Sequence, residues 1–141
     1  MKKIRKLMVC IALIQVLFCF LYGCGPGPGD YSIPLCNNYS INRPNASQVQ
    51  LCQQRENHNY VVLPSCYVCE YAVIEEYIFL AVIETPDGSL TDRDTSDYPI
   101  VYYIVDSKTD EIIGPFIDED KLNKKVQIMG IAPMIDWKKT D

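Results

Sequence analysis

The sequence predicts a mainly β domain of the α+β class: a twisted antiparallel sheet of about five to seven strands with one short C-terminal helix. Three observations carry this. From Tyr31 onward, short runs of Val, Ile, Tyr and Phe alternate with clusters of Asn, Asp, Gly, Pro and Ser, the rhythm of strands and turns. The densest run, Cys66 to Glu84, holds Tyr71, Val73, Ile74, Tyr77, Ile78, Phe79, Val82 and Ile83, a β-prone set. Helical spacing with an N-cap and a terminating glycine occurs once, between Asp118 and Gly130.

Taken in order, Tyr31 to Leu35 is a first strand, Asn37-Asn38 a turn, Tyr39 to Asn42 a second strand and Arg43-Pro44-Asn45 another turn. Ser47 to Gln53 alternates Val49 and Leu51 with Gln48, Gln50 and Cys52, as a strand with one wet face does. Arg55 to Asn59 is polar and turn-like, and Tyr60 to Leu63 resumes the sheet. Residues 67–74 and 77–84 read as two strands reversing near Glu75-Glu76, although that pair lacks the Gly or Asn of a tight hairpin. A single buried helix over the same span is the competing reading. The unbroken apolar run Tyr77 to Ile83 predicts a central strand covered on both faces.

Thr85 to Tyr98 is a loop rich in Pro, Gly, Asp and Ser; Ile100 to Val105 is a strand, Ser107 to Asp110 a turn, and Glu111 to Phe116 completes a hairpin. Asp118 is an N-cap, with Glu119 and Asp120 in a first turn where negative charge is favoured. Leu122, Val126 and Met129 share one face and Gly130 ends the element, so a helix over about 119–129 packs on the sheet. Trp137, the only tryptophan, is expected to dock on the domain.

The first residues read as an address. Lys2, Lys3, Arg5 and Lys6 precede the apolar run Leu7 to Tyr22, broken only by Gln15, which is the layout of a secretory signal. The run is shorter than the roughly 20 residues of a spanning helix. It ends in Leu21-Tyr22-Gly23-Cys24, which resembles the bacterial lipobox processed by signal peptidase II, with Tyr22 bulkier than the usual residue at its place. The resemblance implies that residues 1–23 are a lipoprotein signal peptide and that Cys24 carries lipid. Two or three acyl chains there hold a protein to a membrane surface, where one does so only marginally. Gly25-Pro26-Gly27-Pro28-Gly29 then forms, with Cys24, a short tether at 24–29, and residues 30–141 make a single β-rich domain.

The chain has 141 residues, 13 Lys and Arg and 18 Asp and Glu, a net charge of −5. Four of the basic residues and none of the acids lie in the leader, leaving nine basic against 18 acidic groups. That balance excludes nucleic acid as an expected partner, since phosphate binding needs clustered Lys and Arg. Cysteine use agrees with export: beyond Cys10, Cys19 and Cys24, four remain, Cys36, Cys52, Cys66 and Cys69, an even set whose expected role is two disulfides of open connectivity.

A Cys-Gly start, Gly-Asp-Tyr, a Tyr-Ser-Ile strand, and Tyr102-Tyr103-Ile104-Val105-Asp106-Ser107-Lys108-Thr109 with Gly114-Pro115 before an acidic helix start make most of residues 23–125 similar to a family of small bacterial lipoproteins known only as a domain of unknown function. That family offers no catalytic residues to transfer, and this chain departs from it in its four mature cysteines and its long acidic loop.

No constellation of side chains specifies an activity. Cys66-Tyr67-Val68-Cys69 invites a thiol oxidoreductase reading, but that motif belongs at a helix N-terminus within a βαβ pattern, which is absent. On an extended strand the two Cα atoms stand about 10 Å apart, beyond the roughly 7 Å reach of a disulfide. One Cys-x-x-Cys pair is also too little for a zinc site. Asp87, Asp92, Asp94 and Asp97 crowd one loop, yet fail the EF-hand pattern, so no metal is assigned. His58 is the only histidine, with no nucleophile elbow in the chain. Glu75 and Glu76, adjacent on a strand, would face opposite ways. The nine mature tyrosines are expected to fill and rim the core.

The sequence therefore predicts a lipid-anchored protein of the bacterial cell envelope, at the outer membrane or cell surface, with a non-enzymatic binding or accessory role. Its expected partners are the membrane, through Cys24, and another protein, with no cofactor and no catalytic residue. An inhibitor or immunity-type protein that blocks a cationic enzyme is the alternative, and a thiol oxidoreductase acting through Cys66 and Cys69 a second.

Overall fold

The computed structural model describes residues 29–91, 95–131 and 134–140. The expected signal peptide, the lipidation site Cys24, most of the tether, and Asp92 and Asp94 of the acidic loop lie outside the described residues.

Nine strands and one helix occur among the described residues: β1 (Tyr31–Pro34), β2 (Tyr39–Asn45), β3 (Gln48–Arg55), β4 (His58–Val61), β5 (Cys66–Ile74), β6 (Tyr77–Glu84), β7 (Val101–Asp106), β8 (Glu111–Phe116), α1 (Glu119–Ile128) and β9 (Lys138–Lys139). The mainly β class with one late helix is as expected, but the strands divide between two antiparallel sheets: β1-β2-β3-β4, and β8-β7-β6-β5-β9. Alternation along the strands explains why two sheets form. Ile41 of β2 and Val49 and Leu51 of β3 present one apolar face, and Val68, Ile78, Leu80, Val82 and Val105 of the second sheet meet it in a shared buried core. The other face of the second sheet carries Ala72, Phe79 and Ile104, covered by Leu122 and Val126 of the helix. Strand β6 is thus buried on both faces, which is why its sequence runs apolar without alternation.

The hairpin β5–β6 reverses at Glu75-Glu76 without favourable turn residues because other parts of the fold hold it. Glu75 takes a left-handed conformation at φ 55°. The Glu76 carbonyl accepts from the Ser107 backbone N–H at 3.0 Å and from the Ser107 hydroxyl at 2.6 Å. Lys108 adds an ion pair to the Glu76 carboxylate at 3.1 Å. The β7–β8 turn also ties the two sheets. Asp110 accepts from Tyr39 Oη at 2.7 Å, Gln53 Nε2 at 2.6 Å and Arg55 Nη2 at 3.0 Å. These donors, Tyr39 foremost, hold the Asp110 carboxyl below its ordinary value.

The helix begins as its sequence indicates. Asp118, extended at φ −151°, accepts from the Lys121 N–H and caps the first turn. At its end Gly130 takes φ 73°, and the N–H groups of Ile131 and Gly130 bond back to the carbonyls of Val126 and Gln127, the Schellman arrangement. Trp137 docks on the helix side of the second sheet, 5.8 Å from the Tyr102 ring, with its indole N–H donating to Glu119 at 3.3 Å.

Two expectations about turns change. Arg43-Pro44-Asn45 is not a turn but the end of β2, and the reversal lies beyond it, where Asn45 Oδ1 accepts from the Ser47 N–H at 3.0 Å. The next reversal is tighter than Arg55 to Asn59. It centres on Glu56 at φ 53°, and β4 starts at His58.

Candidate functional site

A β-bulge from each sheet opens onto the same cleft. In β5 the pairing with β6 passes from Val68↔Val82 to Glu70↔Ala81, leaving Cys69 as the extra residue. In β2 the pairing with β3 passes from Asn42↔Gln50 to Asn45↔Gln48, so Arg43 and Pro44 oppose Val49 alone. Pro44 lacks an amide proton, which costs least where the ladder is already interrupted. A bulge turns its side chain away from the strand's alternation, and both Arg43 and Cys69 line one cleft with Tyr67, Glu70, Thr95, Lys139 and Thr140. Its volume is about 370 Å³, near the lower end of the roughly 300–1,000 Å³ found for small-molecule sites.

Strand β9 builds one wall. It pairs with β5 at Glu70↔Lys139 and Tyr71↔Lys138, and the buried Thr140 fastens it. The Thr140 N–H donates to the Cys69 carbonyl at 3.2 Å, and its hydroxyl lies 2.9 Å from the Val68 carbonyl and 3.0 Å from that of Cys69. Tyr31 of β1 donates its phenol to the Thr140 carbonyl, joining the edges of the two sheets beside the cleft. The Arg43 guanidinium lies over the Tyr31 ring, 5.8 Å from its centroid, an arrangement that favours a cation. Among the described residues Arg43 Nε is buried without a hydrogen-bond partner.

Cys36, Cys52, Cys66 and Cys69, the expected disulfide candidates, are joined in no disulfide. Cys36 is half-buried, with its sulfur 3.3 Å from the Ser107 hydroxyl. Cys52 is buried in β3, where desolvation pushes its thiol up. Cys66 is buried in the inter-sheet core, and burial first, then the Glu84 charge, push its thiol up to about 11. Cys69 alone of the four lines the cleft. The Cys-x-x-Cys pair therefore lies on an extended strand with one thiol in the core and the other at the cleft, which is not the geometry of a thiol oxidoreductase.

This division sets an expected result. With iodoacetamide at pH 8 the native chain should alkylate Cys69 fastest, and Cys66, with about one thiol in a thousand ionised there, should react only after denaturation. Because the folded Cys66 thiol is raised, its contribution to stability is complete below the unfolded value and is lost as pH climbs toward about 11. Peptide mapping by mass spectrometry reads the order. Cysteines that resist alkylation even in denaturant, until reductant is added, would instead be disulfide-linked.

The remaining sequence candidates do not converge. His58 is exposed on β4, at the edge of the first sheet away from β1. Glu76 is committed to Lys108, and Asp87 accepts from the Ser89 N–H and hydroxyl within its own turn. Among the described residues no group of three His, Cys, Asp or Glu is placed to hold a metal ion, and no helix is long and apolar enough to cross a membrane. Arg43 and Lys139 were not legible as site residues. The one signal was Pro44, which β-sheets admit chiefly at edges and bulges.

No curated protein and no solved structure matches the chain significantly. A family model described as protein of unknown function (DUF3997) matches residues 36–141, which span every element from β2 to β9. The chain therefore belongs to that family.

Proposed function

We propose that this protein is an exported lipoprotein, held at the cell envelope by acyl chains on Cys24, whose β domain is a non-enzymatic binding module. The observation that carries the binding role is the convergence of two bulges, from different sheets, on one cleft lined by Arg43, Cys69, Glu70 and Lys139. A bulge interrupts a ladder and is retained where it aims a side chain. Two of them facing one opening favour a ligand site over an accident of packing. No histidine lines the cleft, so the Cys69 thiol lacks the imidazole base that a cysteine nucleophile uses. The anchor rests on the basic start, the apolar run and Cys24.

The test of the anchor is direct. Grown with an alkyne-tagged fatty acid, cells should yield a labelled protein in the membrane fraction, and Cys24→Ser should abolish the label. An unlabelled wild-type chain, or one recovered free in the medium, would defeat this reading.

A further inference from the structure

We infer that the cleft is a carboxylate site, receiving the carboxylate of a small organic acid or of a peptide C-terminus on Arg43. The inference rests on reading this cleft as the binding site and is independent of the lipid anchor.

Among the described residues three charged side chains line the cleft: Arg43, Lys139 and Glu70. Glu70 and Lys139 are direct partners across β5 and β9, so their charges balance locally. Arg43 is then left as one uncompensated positive charge, on a chain whose net charge is −5. Its Nε–H is out of contact with solvent and meets no acceptor among the described residues, so a ligand would meet Arg43 through its terminal nitrogens. Arg43 is placed by a bulge and by the Tyr31 ring, and neither supplies an acceptor for Nε.

A single positive charge whose terminal nitrogens face the cleft calls for one planar anion that accepts two parallel bonds from them. A carboxylate fits that fork with the right charge. A phosphate monoester brings nearly two negative charges close to Glu70, which disfavours it. Tyr67 offers apolar surface, and Thr95 offers polar surface, to the rest of the ligand. Cys69 lies in the same lining, so a bound molecule should shield its thiol, which makes that thiol a reporter of occupancy.

The experiment uses the full chain in detergent micelles. Calorimetry is run with trialanine, its C-terminal amide, succinate and inorganic phosphate, while the rate of Cys69 alkylation by iodoacetamide is followed in parallel. Trialanine binding, with its amide weaker by about tenfold or more, identifies a peptide terminus; succinate binding alone identifies a small acid. In either case the bound ligand slows Cys69 alkylation. Arg43→Gln should reduce the affinity by about tenfold or more without lowering Tm, because it relieves a buried donor that the unliganded fold leaves unmet. Lys139→Gln, a second variant exposed enough to fold, should weaken binding about threefold through lost long-range attraction. The inference fails if phosphate binds as tightly as the carboxylates, if acid and amide bind equally, or if Arg43→Gln retains full affinity. It also fails if no carboxylate binds below about 10 mM and Cys69 reacts at an unchanged rate. Such a failure beside a membrane-bound, fatty-acid-labelled protein would remove the ligand class and leave the anchored reading standing.

Discussion

Phe79→Ala should lower stability by about 3–5 kcal/mol and the melting temperature by roughly 10–20 °C. Phe79 is fully buried at the middle of β6, with Ala72 of β5 and Ile104 of β7 as its register partners on either side. Leu122 and Val126 of the helix close over the same cluster. Truncation removes the ring from the apolar surface that α1 packs on, and a ten-residue helix has little stability of its own. The loss approaches the whole stability of an ordinary domain, about 5–15 kcal/mol. Phe79→Leu, which keeps most of the volume, should cost far less. Urea denaturation followed by fluorescence from Trp137, which packs on the same face, measures both. A cost below about 1 kcal/mol for Phe79→Ala would mean that the helix is not docked there.

How far the sequence discloses this fold depends on which forces are local. The strands β3, β5, β6 and β7 and the helix were legible because their patterns arise from burial of each element's own side chains. The division into two sheets was not, since β2 and β3 would alternate in the same way whether they flanked β5 or lay across it. Which face a residue meets depends on partners distant in sequence. The Glu75-Glu76 reversal is a similar case: its turn chemistry is weak, and Ser107 and Lys108, more than thirty residues on, hold it. The site was least legible. Cys69 stands out in the sequence as half of a Cys-x-x-Cys motif, for a reason the fold does not support, and Arg43 reads there as part of a turn. Both owe their positions to bulges, and a bulge leaves only one residue's displacement in the sequence pattern.

Gly88→Ala is the substitution that should test how the loop after β6 is tied to both sheets. Gly88 takes φ +70°, and a Cβ there would stand 2.3 Å from the Pro64 carbonyl oxygen and 3.3 Å from the Pro64 carbonyl carbon. Both are backbone atoms, so no side-chain rotation relieves the clash. The loop cannot simply move outward, either. The Thr85 N–H bonds to Ser65 at 2.9 Å and the Leu90 N–H to Ser47 at 2.7 Å, Ser89 bridges to Gln48, and Leu90 is buried. A left-handed alanine costs about 1–2 kcal/mol, and forcing atoms into a packed site adds about 1–3 kcal/mol, so a loss of about 2–5 kcal/mol is expected. Gly130→Ala supplies the control: it has nearly the same φ, +73°, but open space around its Cβ, so it should incur the conformational cost alone. The difference between the two variants measures the contact with Pro64. Equal losses would show that Pro64 does not press on Gly88, so that the described hydrogen bonds of Thr85 and Leu90 and the burial of Leu90 fix this turn.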